Sequence, residues 1–312
     1  MPPSVPFSRA CLLDLSQPIG KRTHAAFFLR TDGGEEAVLA IMEALVQRED
    51  SVLMRHELAY ILGQMQNPIA CPTLVSILED ETDDVIVRHE AAEALGAIGQ
   101  TASLSVLKKY CGHPAREIRE TCEIAVDMIE WRERGEKSPK GNYLSVDPAP
   151  ALNGATQIED LRATLLDSSK SLFHRYRAMF SLRDLNTDDS ALALVAGLQD
   201  ESALFRHEIA YVLGQMQRPV TKTGLIAALE NEHEHRMVRH EAAEALGAIG
   251  GDDVEEVLQR YTEDDEAIVK ESCDVALDTM DYWTQPANEE VLEAKEIKDF
   301  TLVTQISGYC LL

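Results

Sequence analysis

Apolar positions in this chain recur at helical spacing, and the same spacing returns unit after unit. Over 85–98, Val87, Ala91, Ala94, Leu95 and Ile98 fall three or four residues apart, the stripe of a helix with one buried face. Asp83 and Asp84 stand ahead of it as caps, and Gly99 follows as a residue suited to positive φ. The next apolar run, 103–110, predicts a second helix returning antiparallel. No stretch alternates with period two over a useful length, so strands are not predicted. One helix pair cannot bury its own faces. Stacked neighbours close a continuous core, which predicts an all-α fold, an α-solenoid.

The repetition is explicit in the letters. Residues 87–99 read VRHEAAEALGAIG, and residues 238–250 read the same. Residues 55–66 (RHELAYILGQMQ) and 206–217 (RHEIAYVLGQMQ) differ only at Leu58/Ile209 and Ile61/Val212. Residues 120–131 (ETCEIAVDMIEW) parallel 271–283 (ESCDVALDTMDYW), and 25–30 (AAFFLR) echo 178–183 (AMFSLR). Two tandem halves of about four helix pairs each follow, over 1–135 and 154–285. Between them 136–153 (EKSPKGNYLSVDPAPALN) is too rich in Pro, Gly and Ser for a continuous helix and reads as a linker. Residues 286–312 break the repeat and read as a tail.

Four His-Glu dipeptides occupy equivalent points of these copies: His56-Glu57, His89-Glu90, His207-Glu208 and His240-Glu241. Each is read as lying in the first turn of its helix. One isolated dipeptide there would be a capping Glu beside a surface His. Four at matched positions point to a site that binds metal through nitrogen and oxygen. One turn below each His are Tyr60, Glu93, Tyr211 and Glu244; two turns below are Gly63, Gly96, Gly214 and Gly247. Glycine inside a helix costs about 1 kcal/mol relative to Ala, so something approaches closely there, a neighbouring backbone or a ligand.

Counting ligands makes the expectation concrete. Helices of neighbouring units pack about 8–10 Å apart, so two imidazoles can converge on one ion. A carboxylate completes two His and one carboxylate, the set of non-haem iron sites that activate oxygen. The duplication supplies the set twice: His56, His89 and Glu90, then His207, His240 and Glu241. If the solenoid curves so that its halves face each other, the two ions meet at a pseudo-twofold axis. Glu57 and Glu208 are then spare carboxylates for a cationic substrate; counting does not decide which Glu of each pair binds metal. The motif is neither Glu-x-x-His nor His-Glu-x-x-His: residue 93 is Glu and residue 60 is Tyr, so a zinc-peptidase reading fails.

Composition narrows the partner. There are 29 basic residues against 54 acidic ones, a formal charge of −25, which argues against a nucleic-acid binder and favours a cationic partner: a basic protein, a polyamine or a metal ion. Aromatic residues are only 5%, in keeping with small-residue helix packing. The six cysteines form no C-x-x-C pair and suit a reducing compartment; Cys122 and Cys273, related by the duplication, are expected in the core. Neither a membrane-spanning run nor a signal-peptide pattern is present, and the cytoplasm is the expected location.

Together the tandem halves, the fourfold His-Glu pattern and the segment 143–150 (YLSVDPAP) make the chain resemble the deoxyhypusine hydroxylase family, over roughly 25–283. The resemblance implies HEAT-like helix pairs and a monooxygenase with two iron ions and O2 as co-substrate. It would hydroxylate the deoxyhypusine side chain of translation factor five-A, forming hypusine. It implies that Glu57 and Glu208 orient the amine in catalysis, and that Gly63 and Gly214 give that side chain room. Three rivals stand beside it. One is a non-catalytic HEAT-like scaffold for a basic protein. The others are a hydrolytic zinc or manganese site and a tetrapyrrole lyase.

Overall fold

The structure, a computed structural model, describes residues 3–137, 139, 141–154 and 157–284. Among them are sixteen α-helices and no strand. The first eight are α1 (Val5–Leu13), α2 (Ile19–Asp32), α3 (Glu35–Leu45), α4 (Val52–Met65), α5 (Cys71–Glu79), α6 (Val85–Ile98), α7 (Leu104–Tyr110) and α8 (Arg116–Glu133). The others are α9 (Ile158–Leu166), α10 (Leu172–Leu185), α11 (Asp188–Val195), α12 (Ala203–Met216), α13 (Lys222–Glu230), α14 (Arg236–Ile249), α15 (Asp252–Tyr261) and α16 (Ala267–Thr284). They form eight pairs, each a shorter helix followed by a longer one, and the longer helices stack on one another as α4 on α6 on α8 and α12 on α14 on α16. The chain is the α-solenoid that its periodicity predicts.

The pairing differs from expectation in one respect. Helix α6 takes α5, before it, as its partner, and α7 belongs with α8. The N-terminal stretch, which shows no match to the repeat, supplies α1, so the first pair is α1 with α2. The chain divides into two compact units. Among the described residues, one runs to Lys137 and also takes in Ser145–Pro150; the other takes in 139, 141–144 and those from Ala151 to Thr284. The expected linker is therefore shared between units. In the first, the Gln64 amide donates to the Val146 carbonyl at 3.1 Å and accepts from the Val146 N–H at 2.8 Å. In the second, Asn142 donates to the Asp184 carbonyl and the Arg183 guanidinium lies 4.4 Å from the Tyr143 ring centre. The expected tail, 286–312, lies outside the described residues.

An arginine ladder sets the register of the stack. The fourth residue of α2, α4, α6, α10 and α14 is Arg22, Arg55, Arg88, Arg175 and Arg239. Each donates its Nε–H to the carbonyl ten residues back, at the end of its own partner helix: Leu12, Leu45, Leu78, Leu165 and Leu229, at 2.8–3.0 Å. The remaining N–H groups mostly reach forward to an acid in the loop before the next long helix. Arg22 binds Asp50, Arg55 binds Asp83, Arg175 binds Asp200 and Arg239 binds Asp264. Arg206 joins Glu234 likewise, while Arg88 turns to Glu81 in its own unit. A fixed guanidinium fork thus satisfies helix-end carbonyls and ties each unit to the next.

Candidate metal centre

Each His-Glu dipeptide follows directly on an arginine: Arg55, Arg88 and Arg239 of this ladder, and Arg206. His56, His89, His207 and His240 are the fifth residues of α4, α6, α12 and α14, and the glutamates are the sixth. They lie in the second helical turn, not the first. The apolar residues ahead of them, such as Leu53, Ile86, Leu204 and Met237, extend each helix back to an earlier cap. Ser51 Oγ accepts from Met54 N–H, Asp84 Oδ1 from Ile86 N–H, Ser202 Oγ from Phe205 N–H and His235 Nδ1 from Met237 N–H. Capping is therefore done by other residues, and the glutamates are available for something else.

All eight side chains are buried, none more than 5% exposed. The stacking of long helices carries each dipeptide alongside the next. In the first unit His56 Nε2 lies 3.2 Å from Glu90 Oε2, and the His56 and His89 ring centres are 5.5 Å apart. In the second unit His207 Nε2 lies 3.3 Å from Glu241 Oε2, with the His207 and His240 rings 5.3 Å apart. The two halves build the same arrangement from different sequence positions. In both halves the His of one helix faces the Glu of the next. Glu90 and Glu241 are thus the carboxylates that stacking brings against the imidazole of a neighbouring helix.

The donor atoms gather tightly enough for an ion. One nitrogen each from His207 and His240 and one oxygen from Glu241 lie within 4.8 Å of one another, and His89, Glu90 and Glu93 form a comparable cluster in the first unit. Imidazole nitrogen with carboxylate oxygen is a donor set for a divalent transition metal. The electrostatics fit as well. Burial works against charge on His56, yet Glu90 and Glu57 outweigh it and hold the imidazolium well above the usual histidine range. Burial pushes the Glu57 carboxyl up. A site with these carboxylates out of water stabilises positive charge where the imidazole nitrogens meet.

Glu57 meets the imidazole beside it in the chain. Glu57 Oε1 contacts His56 Nδ1 at 2.9 Å, while its Oε2 is buried without a hydrogen-bond partner among the described residues. Glu57 thus steadies the ring of a candidate ligand and keeps one oxygen for another donor.

The glycines have a different explanation. A Cβ at Gly63 would meet Ala94 Cα at 2.9 Å, one at Gly96 would meet Ala125 Cβ at 2.8 Å, and one at Gly247 would meet Ala276 Cβ at 2.6 Å. These positions let neighbouring long helices approach, and Gly63 makes room for α6. Gly214 is buried at the equivalent position of α12. Sequence reasoning also missed the arginines. Their signal was present in the letters, since Arg precedes His in all four dipeptides.

A family model of HEAT repeats matches residues 38–127 and 192–278, which contain all four dipeptides. A protein of Danio rerio named deoxyhypusine hydroxylase is 50% identical over 276 residues, 87% of this chain and 90% of its own. The Homo sapiens protein of that name is 48% identical over 274 residues, covering 88% and 90%. The solved structure of human deoxyhypusine hydroxylase in complex with glycerol matches with a TM-score of 0.86, over 89% of this chain and 96% of that one. The chain belongs to the deoxyhypusine hydroxylase family. The likeness to that family spans both units, and the solenoid expected from the repeats is the fold that the human deoxyhypusine hydroxylase structure shares.

Proposed function

We propose that this protein is an iron-dependent monooxygenase that hydroxylates deoxyhypusine on translation factor five-A in hypusine formation. The observation that carries this reading is the doubled facing pair, His56 with Glu90 and His207 with Glu241, each beside a second buried imidazole. His56, His89 and Glu90 hold one iron ion, and His207, His240 and Glu241 hold another. Bound iron supplies the means to reduce O2, the co-substrate, and to place one of its atoms in an unactivated C–H bond; the other atom leaves as water with two electrons and two protons from a reductant.

The remaining chemistry belongs to the chain. Glu57 and Glu208 bind the cationic amine of the substrate and orient its target carbon, in the catalytic and substrate-binding roles. Glu57 Oε2 is ready for this: a buried carboxylate oxygen without a partner gains most from a charged N–H donor. Burial of the imidazoles and carboxylates keeps bulk water from the reacting carbon. The formal charge of −25 favours the encounter with a basic protein partner over nucleic acid. Among the described residues no helix is long and apolar enough to cross a membrane. We place the protein in the cytoplasm, a location that suits the buried free thiols of Cys122 and Cys273.

Purified protein should carry two iron ions per chain and, with reductant and O2, add one oxygen atom to deoxyhypusine-modified factor five-A, read by mass spectrometry. A chain that binds the basic partner but no metal would be the scaffold reading instead. Turnover with zinc and no O2 would favour the hydrolytic one.

A further inference from the structure

The second unit contains a carboxylate behind one of its imidazoles. Glu244 lies one helical turn after His240, with Oε1 3.5 Å from His240 Nδ1. The same oxygen accepts a hydrogen bond from the Ser272 hydroxyl of α16 at 2.8 Å. All three side chains are buried, His240 and Ser272 completely. We infer that Ser272 and Glu244 form a clamp that orients His240, making both positioning residues for the metal centre. A carboxylate at Nδ1 draws the ring proton to that nitrogen and leaves the Nε2 lone pair for a metal ion. The serine from the next helix further restrains the Glu244 side chain.

Among the described residues, the hydroxyl arm of the clamp is particular to the second half. Ser272 is the sixth residue of α16, and Thr121 is the sixth residue of α8. Thr121 is buried, but its Oγ1 has no hydrogen-bond partner among the described residues. The duplication thus kept a hydroxyl at this point of both halves and joined it to a carboxylate in one. The ion held by His207, His240 and Glu241 should consequently be the more tightly and more rigidly bound of the two.

This inference rests on the metal reading above. The test is chelator competition for Fe(II), together with the visible ligand-field spectrum of the Co(II)-loaded protein, on the full chain. Glu244→Ala should weaken one of the two sites about 10- to 100-fold and change its cobalt spectrum. Glu244→Gln, whose amide oxygen still accepts from Nδ1–H, should recover most of the affinity. Ser272→Ala should fall between the two, and Thr121→Ala should match wild type. Wild-type affinity in Glu244→Ala would overturn the clamp. So would loss of metal in Glu244→Gln as complete as in His240→Ala, which would make Glu244 a ligand. If Glu244→Ala does not fold, Ser272→Ala decides, and an unchanged affinity and spectrum there overturns the proposal. A wild-type chain that binds neither Fe(II) nor Co(II) would remove the metal reading itself and the clamp with it.

Discussion

The Arg55 guanidinium grips Asp83 with both terminal nitrogens, at 2.6 and 2.5 Å, one residue before His56 in the chain. The contact joins α4 to the loop that begins α6, and so holds His56 against Glu90. Because the same fork recurs through the stack, an ion-pair framework helps to position the proposed metal donors.

The Asp83 pair should make stability depend on acid. Burial raises the Asp83 carboxyl, but the hydrogen bonds and charge of Arg55 outweigh it and leave it below the ordinary carboxylate range. A group with a lowered folded-state value contributes stability above its unfolded value of about 3.9, and loses it as pH falls through the lowered one. Asp83→Asn should therefore cost about 3 kcal/mol at pH 6, by leaving Arg55 short of its partner. The gap from wild type should narrow near pH 2. Urea unfolding at the two pH values checks this.

Gly63→Ala and Gly247→Ala should destabilise without altering the chemistry of the site. Each methyl group lands within about 3 Å of a backbone atom on the next helix. Overpacking of about 1–3 kcal/mol outweighs the gain of roughly 1 kcal/mol in helix propensity. Urea midpoints should fall while iron content at saturation stays at wild type. An intact midpoint with a raised KM would restore the substrate-room role to Gly63.

Glu57→Gln and Glu208→Gln should separate substrate binding from metal binding. Loss of a charge-assisted bond to the amine is worth about 1.5–3 kcal/mol, so KM for the modified factor should rise roughly 10- to 100-fold. Iron content should remain above that of His89→Ala and His240→Ala, each of which removes a proposed ligand. Iron loss equal to that of the histidine variants would place Glu57 or Glu208 among the ligands.

Removing the metal should lower thermal stability. An ion present at about 100 times its dissociation constant stabilises the folded state by about 2.7 kcal/mol per site. Chelator should therefore lower Tm, and Fe(II) added anaerobically should return it. Magnesium, which prefers oxygen donors, should not.

The sequence by itself determined the helices, the duplicated halves and the residue types of the site. Helical period is a local property: Val87, Ala91 and Leu95 lie on one face whatever surrounds them, and Gly99, at a φ of +76°, ends α6 as its letter suggests. Identical segments in each half also showed that His and Glu recur in register. Only the tertiary structure decided which partner each residue meets. That His56 meets Glu90 as well as Glu57 depends on how α4 stacks on α6, and no spacing along one helix contains that. The same holds for Gly63, where a ligand and a neighbouring backbone leave the same mark in the letters until Ala94 is found against it. It holds also for Ser272 and Glu244, 28 residues apart and joined by one hydrogen bond. Local preference chooses the elements; the packing of side chains from separate helices chooses the contacts, and the proposed chemistry resides in the contacts.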